Sequence, residues 1–381
     1  MLIYFCVFAI ALFFAIMAKQ CEKRNRKKLS IFFSLISIII PSLLAGFRAS
    51  GVGTDTKVYI DWIFKETLSC NNINEVFNVI NRTGVEPLYC IVNYIVSRFS
   101  NSLTVIYFTL ELIILGLAYI GIYKTSKYVK LSYPLAYCLF LLIFFNKTLN
   151  MCRQSMAMAV CLFAIPYIIN RDIRKYFLCM IIGFLFHRSI IIFLPVYYIY
   201  NIATNDTRKN AFIRIVLLFV LLICGIFFKQ IVIILVNIGA LSSKYLNYVY
   251  HFGSKNNIKP IEIISEALIL FICLLTKKNL IKNNVSNKFL VYLIELGFVA
   301  FLYGYNAAYS QRISYYFSIV IVLILPQIIG TIKDNKDKIM TLVLLMSSVC
   351  IYSYIYYGKY QFDQTTPYQY DNSYSKRITT R

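Results

Sequence analysis

Runs of roughly 15–20 apolar residues recur from one end of the chain to the other, with short basic loops between them. A run of this length matches an α-helix that crosses the hydrocarbon core of a bilayer. Hydrophobic residues make up 59% of the 381 residues, above the roughly 45–50% of a soluble domain. No polar stretch is long enough to fold separately. We therefore predict an all-α polytopic integral membrane protein, with residues 1–381 forming one integral-membrane domain.

The formal net charge of the chain is +23. In a soluble protein this charge would suggest a nucleic-acid partner. Here the basic residues lie mostly in short loops between apolar runs, and cytoplasmic loops of membrane proteins carry such an excess of lysine and arginine. We therefore expect the lipid bilayer, and no nucleic acid, as a partner. Attraction for anionic lipid head groups or pyrophosphate is a second, smaller use for these residues.

The basic loops also set the topology. The loop at 19–28 is strongly basic, which places it in the cytoplasm and the N-terminus outside. The apolar segment 86–99 is short for a span, and if it crossed, every later basic loop would fall outside. We therefore predict an interfacial or re-entrant helix there, within a first extracytoplasmic loop at 48–102. A second extracytoplasmic loop at 229–259 and an extracytoplasmic tail at 358–381 complete the layout.

About twelve transmembrane helices follow from this topology. The predicted spans lie at 1–18, 30–47, 103–123, 132–147, 154–169, 176–187, 189–203, 211–228, 260–276, 289–304, 312–330 and 339–357.

Charged groups at the membrane border carry the functional prediction. Arg48, Arg153, Arg188, Arg312 and His187 all fall at the border on the predicted outer side. Such groups are costly at the edge of hydrocarbon and are usually retained for function. Together they predict a site for an anionic, membrane-embedded substrate.

Arginine presents five donors in a fixed fork that suits phosphate oxygens. Arg153 follows Asn150 by three residues, on the same face of a predicted helix start, and Gln154 adds a further polar group. The alternative for Arg153 is snorkelling from a helix end. Near Arg312, Tyr305 and Tyr309 offer sugar-stacking surfaces, although an interfacial aromatic belt also explains tyrosines there.

Three residues are candidates for proton transfer. His187 lies between two apolar runs, and histidine titrates near neutral pH. Asp55 is either the N-cap of the helix that follows or a carboxylate of the site. Glu86 precedes Pro87, which is typical of an ordinary helix start, yet a carboxylate facing the cavity can also act as a base.

Short motifs in a fixed order give the chain a family resemblance. They are Arg48 with Gly53-Thr54-Asp55-Thr56 and Tyr59, Glu86-Pro87, Arg153-Gln154, His187-x-Ser189, and Gln311-Arg312. These pieces, over about 48–318, resemble the EpsG-like family of Wzy-type polysaccharide polymerases. The resemblance implies a GT-C-like, metal-independent glycosyltransferase in the bacterial cytoplasmic membrane. It would join polyprenyl-diphosphate-linked oligosaccharide repeat units on the outer face, and a chain-length regulator and a flippase of the same pathway are candidate partners.

The implied reaction displaces a lipid diphosphate from an anomeric carbon. Fixed cations can stabilise the leaving diphosphate, and we assign this role to Arg153 and Arg312, with Arg48, Arg188 and Gln154 in support. The acceptor hydroxyl would lose its proton to His187, Asp55 or Glu86. Tyr59, Trp62, Tyr305 and Tyr309 are the candidates for stacking on sugar rings. No metal-binding DxD motif occurs in the sequence, so we predict no metal and no cofactor.

Two other functions stay open. A ligase that transfers the finished glycan to another carrier would use the same chemistry. A flippase or transporter of lipid-linked oligosaccharide would need charged groups at mid-membrane depth and alternating access, whereas the motif residues here lie at one face.

Overall fold

The protein is described by a computed structural model that covers residues 1–239, 246–250, 258–307 and 309–371. Within these ranges the chain is helical and contains no β-strand, only an isolated bridge between Arg48 and Tyr370. The α-helices are α1 (Leu2–Lys23), α2 (Lys27–Gly46), α3 (Trp62–Leu68), α4 (Ile73–Thr83), α5 (Pro87–Phe99), α6 (Leu103–Thr125), α7 (Tyr133–Asn150), α8 (Cys152–Ile169), α9 (Ile173–Phe186), α10 (Val196–Thr204), α11 (Arg208–Ile226), α12 (Phe228–Asn237), α13 (Leu246–Tyr250), α14 (Pro260–Asn283), α15 (Ser286–Phe301), α16 (Tyr315–Ser318), α17 (Ile321–Thr331) and α18 (Asn335–Ser353).

Seven of the described helices are long and apolar enough to cross a membrane: α1, α2, α6, α8, α11, α15 extended to Tyr305, and α18 extended to Lys359. An eighth span results if the bent pair Ser310–Ser318 and Ile321–Thr331 is counted as one. The prediction of a polytopic α-helical membrane protein is therefore confirmed, whereas the count of twelve spans and the GT-C fold are not.

The four predicted spans without such a helix correspond to α7, α9, α10 with the 3-10 turn before it, and α14. Helix α9 has 14 residues and α10 has nine, so each falls short of the roughly 30 Å hydrocarbon core at 1.5 Å per residue. Helix α7 ends in polar residues, and α14 carries two glutamates and three lysines.

The chain divides into two compact units. The first comprises Met1–Pro166, Phe177–Ile191 and Ile332–Arg381. Helix α7 is its central element, since it contacts α1, α6 and α18 and nearly all of its side chains are buried. Only 11% of the apolar part of helix α18 is buried inside the protein, as expected of a helix that faces lipid.

The second unit comprises Tyr167–Tyr176 and Ile192–Thr331. Helix α15 is its central element and contacts α10, α11 and α14. Helix α11 is 6% buried, which leaves its apolar surface for lipid. The predicted second extracytoplasmic loop includes α12 and α13, and its residues 240–245 and 251–257 lie outside the described part of the chain.

Local sequence explains how the first predicted loop folds. The Asn72 side chain accepts from the backbone N–H of Glu75 and begins α4, and Gly84, in the left-handed conformation, ends it. Pro87 then begins α5 at the first helical position. Helix α5 has 13 residues, fewer than the roughly 20 that a transmembrane helix needs. Its placement in the membrane interface stays a prediction.

Gly53 fixes where this loop meets α7. Its φ is +92°, a conformation that side chains other than glycine rarely adopt. A Cβ at this position would also lie 2.9 Å from the carbonyl oxygen of Leu149. Glycine is therefore required for the loop to approach the end of α7.

Candidate functional site

The carboxylate of Glu86 is the centre of the candidate site, in the first unit. Glu86 is the N-cap residue of α5, with an extended backbone, because a following proline disfavours the helical conformation. Only 6% of its side chain is exposed. The carboxylate is therefore held at a helix start with little access to water, and its charge must be balanced locally.

Arg153 provides the first balancing charge. It lies in the first turn of α8, and its Nη1 donates to Oε2 of Glu86 at 2.6 Å. The guanidinium also covers the ring of Tyr59, 4.3 Å from the centroid, and lies 6.0 Å from the ring centroid of Tyr89. A carboxylate on one side and an aromatic ring on the other fix the plane of the guanidinium.

His187 makes the second contact with the same carboxylate. It lies in the break between α9 and the 3-10 turn Arg188–Phe193, and its Nδ1 is 2.8 Å from Oε1 of Glu86. The backbone N–H of Arg188 donates to that oxygen at 3.4 Å. The carboxylate thus joins three segments that are far apart in sequence: the start of α5, the start of α8 and the break after α9.

The environment of Glu86 determines its protonation. Burial by itself would raise the pKa of this carboxyl, but the hydrogen bond from His187 and the charge of Arg153 outweigh it and lower the pKa to about 2. Glu86 is therefore ionised at neutral pH and can only accept hydrogen bonds. Because an ionised carboxylate can only accept, Nδ1 of His187 donates this hydrogen bond, and Nε2 is the ring nitrogen left for a further contact.

This geometry separates two of the predicted bases. A carboxylate with a pKa of about 2 that is paired with an arginine is a poor proton acceptor near neutral pH. Glu86 is better suited to orienting His187, as the third group of a nucleophile–base–orienter arrangement does. Among the described residues, Nε2 of His187 has no hydrogen-bond partner, and the side chain is 22% exposed.

Asn150, the last residue of α7, organises the loop that contains Asp55. Its Oδ1 accepts from Oγ1 of Thr54 at 2.8 Å and from the backbone N–H of Asp55 at 2.9 Å, and its Nδ2 donates to Oδ1 of Asp363 at 2.9 Å. Asp55 occupies the N-cap position of the π-helical turn Thr56–Asp61, but its side chain makes no capping hydrogen bond. Asp55 therefore has the position of an N-cap residue but not the side-chain hydrogen bond that defines one.

Arg48 is buried at the end of α2 in the first unit, and its part in phosphate binding stays a prediction. Only 2% of the residue is exposed. It donates to the carbonyl oxygens of Ala45 and Leu149 and covers the ring of Tyr107 at 4.5 Å. Because its donors face backbone carbonyls, this geometry favours a structural role in which Arg48 joins the end of α2 to the end of α7.

The remaining predicted residues occupy three settings. Arg188 is exposed beside His187, and Gln154 is buried next to Arg153. Trp62 is 41% exposed, and its Nε1 donates to Glu66. The second unit holds Tyr305, Tyr309 and Arg312, and the guanidinium of Arg312 lies 4.6 Å from the ring centroid of Tyr309.

Two residues of this arrangement were absent from the predicted site. Tyr89, fully buried on α5 near Arg153, follows Pro87 by two residues, and nothing distinguishes it from the other tyrosines in the sequence. Asp363 lies 213 residues from Asn150 along the chain. Nothing in the local sequence around Asn150 indicates that contact.

Comparison with known proteins gives one match. The model of a family described as "EpsG family" matches residues 31–370, nearly the whole chain. No curated protein and no solved structure matches. The matched segment contains all of the residues described in this site.

Proposed function

Because this chain belongs to the EpsG family, which is a Wzy-type polymerase-like family, we propose that it is a polysaccharide polymerase. Its substrates are polyprenyl-diphosphate-linked oligosaccharide repeat units, which it joins on the outer face of the bacterial cytoplasmic membrane. The observation that carries the proposal is the carboxylate of Glu86, which contacts Arg153 through one oxygen and His187 through the other. A base and a cation are thus fixed side by side.

The reaction needs a proton acceptor and a stabiliser of negative charge. Nε2 of His187 takes the proton from an acceptor hydroxyl as that oxygen bonds to the anomeric carbon of the donor. The bond from that carbon to the diphosphate breaks, and the electron pair leaves with the diphosphate. Glu86 stabilises the imidazolium that forms on His187.

Arg153 binds the leaving diphosphate. Glu86 is its only hydrogen-bond partner among the described residues and engages Nη1, so other donors of the fork remain for phosphate oxygens. Gln154 follows Arg153 in sequence, and the backbone N–H of Arg188 donates to the same carboxylate. In this proposal Arg312 is a further phosphate ligand. These groups supply the charge stabilisation that a metal ion supplies elsewhere, so the reaction is proposed to be metal-independent.

The remaining predicted residues contact the sugars in this proposal. Tyr59, Trp62, Tyr305 and Tyr309 stack on sugar rings of the substrates. Asp55 is retained as a carboxylate near the acceptor, where it accepts hydrogen bonds from sugar hydroxyls or assists His187.

Purified protein in liposomes with a polyprenyl-diphosphate-linked repeat unit, in the presence of EDTA, tests the proposal. We expect a ladder of glycan lengths on a gel. Arg153→Ala and His187→Ala should each lower the initial rate by about 100-fold or more. The control Arg82→Ala removes an exposed arginine that pairs with Glu66 on the surface, and it should leave the rate within about twofold.

Three outcomes would contradict parts of the proposal. A full ladder from Arg153→Ala would exclude the diphosphate role, and a ladder abolished by EDTA in the unaltered protein would exclude metal independence. Movement of intact lipid between leaflets with no ladder would make the protein a transporter.

A further inference from the structure

The segment 360–371 folds back against the loop that follows α2. The backbone N–H of Ala49 donates to the carbonyl of Gln369 at 2.8 Å, and that of Gly53 donates to the carbonyl of Gln364 at 3.0 Å. These bonds pair the segment with the loop at two points. The segment is therefore a built part of the first unit.

Side chains from two helices hold the middle of this segment. The Tyr4 hydroxyl of α1 donates to the carbonyl of Thr365 at 2.7 Å, and Nδ2 of Asn146 on α7 donates to Oγ1 of the same threonine at 2.8 Å. Thr365 is fully buried. Buried polar groups with several partners fix a segment in one arrangement.

A cavity of about 400 Å³ lies between this segment and the loop. Gly51 and Val52 line one side, and the other side includes Tyr360 and three glutamines. The glutamines are Gln361, Gln364 and Gln369. The volume lies within the range of small-molecule sites, roughly 300–1,000 Å³.

The wall of the cavity has an unusual backbone. Gln361, Asp363 and Gln364 all have positive φ, between 50° and 67°. A residue other than glycine costs about 1–3 kcal/mol in such a conformation, and strain of this kind clusters at binding sites. Gln361 and Gln364 both line the cavity, so the strain kept at these positions points to a function for its wall.

The residues that line the cavity indicate which class of ligand it can bind. None of the described residues that line the cavity carries a formal charge, so it does not suit a diphosphate. Amide side chains offer both donors and acceptors, which match the hydroxyl groups of a sugar. Tyr360 adds an aromatic surface of the kind that sugar rings stack on.

We propose that this cavity is a second binding site, which holds neutral sugar residues of the glycan away from the diphosphate. The choice of a glycan rests on the proposed polymerase function. The location agrees with it, because Asn150 bonds both to Asp363 of the cavity segment and to Thr54 of the loop. Asn150 precedes Arg153 by three residues, which limits the distance between their Cα atoms to about 11 Å.

Gly51 offers a clean way to fill the cavity. A Cβ at Gly51 meets no atom within 4 Å, and Gly51 has no positive φ. Gly51→Trp should therefore fill the space without disturbing the fold, and Gly51→Ala is its matched control. A second variant, Gln361→Ala with Gln369→Ala, removes hydrogen-bonding side chains and leaves the backbone bonds of the segment in place.

The probe is the water-soluble oligosaccharide released by mild acid from the lipid-linked repeat unit, prepared as one, two and four repeats without diphosphate. Its binding to purified full-length protein is measured by calorimetry and saturation-transfer NMR. We expect Gly51→Trp and the double glutamine variant to weaken binding at least tenfold, and Gly51→Ala to change it less than twofold. His187→Ala should bind like the unaltered protein, so a failed polymerase function and a failed binding site give different results.

The lengths of the probe distinguish two sources of the glycan. Tighter binding of four repeats than of one assigns the cavity to the growing chain, whereas equal binding assigns it to the single donor unit. Unchanged binding by a folded Gly51→Trp protein, or no binding by the unaltered protein, would overturn the proposal.

Discussion

Replacing Glu86 by glutamine tests the centre of the candidate site. Glutamine has the same shape and keeps one acceptor oxygen, but it removes the negative charge that contacts Arg153 at 2.6 Å and His187 at 2.8 Å. The arginine is then left as a buried charge without its counter-ion. Its contact with Tyr59 exists before and after the change and does not compensate.

The exposure of the pair sets the size of the effect. The Glu86 side chain is 6% exposed and that of Arg153 is 17% exposed, so solvent screens their attraction only weakly. Removing one member of a buried ion pair costs about 3–5 kcal/mol. Because glutamine still accepts a hydrogen bond, we expect the lower end, about 3 kcal/mol.

Thermal unfolding of the purified protein in detergent at pH 7 measures this cost. We expect the Tm of Glu86→Gln to fall by about 4 °C and the polymerisation rate to fall by about 100-fold. Glu22→Gln is the matched control, because Glu22 pairs with the half-exposed Lys127 and such pairs contribute about 0–1 kcal/mol. If Glu86→Gln behaved like the control in both assays, the reasoning about this carboxylate would be wrong.

Two further predictions follow from the same region. Because the pKa of Glu86 is lowered from 4.5 to about 2, its ion pair should stabilise the fold above pH 4.5 and lose that effect as the pH falls towards 2. The Tm of the unaltered protein should fall more steeply over that window than the Tm of Glu86→Gln, and parallel curves would contradict the assignment. Asn150→Ala removes hydrogen bonds to Thr54, Asp55 and Asp363, so it should cost about 2–3 kcal/mol and make the segment 360–371 more sensitive to limited proteolysis. Unchanged cleavage relative to the surface control Asn205→Ala would show that Asn150 does not hold that segment.

The sequence was informative where a residue's chemistry conflicts with its surroundings. Arg153 and His187 stand at the ends of apolar runs, where a charge or an imidazole is expensive, and Glu86 precedes a proline that fixes a helix start. These three predicted residues do lie together in the structure. The limits of the long apolar helices follow equally directly from hydropathy, which explains why the membrane class was predictable.

Other features depend on contacts that leave no local pattern. Arg48 has the same sequence signal as Arg153, and only the fold shows that its donors face the carbonyls of Ala45 and Leu149. The predicted spans at α9 and α10 were not confirmed, because a 3-10 turn divides that apolar stretch into pieces shorter than a typical transmembrane helix. The cavity could not be predicted from the sequence either, because its wall is a polar segment without hydrophobic periodicity.

The order of synthesis gives the folded-back segment a consequence for biogenesis. Glu86, Arg153 and His187 have all left the ribosome long before residues 360–371 exist. A chain that ends after Gly358, through a nonsense or frameshift mutation, would insert its helices and still carry those three residues. It would lack the wall that contacts Tyr4 and Ala49. Such an allele would yield a membrane-inserted protein whose defect lies in handling the glycan, and abundance measurements alone would not reveal it.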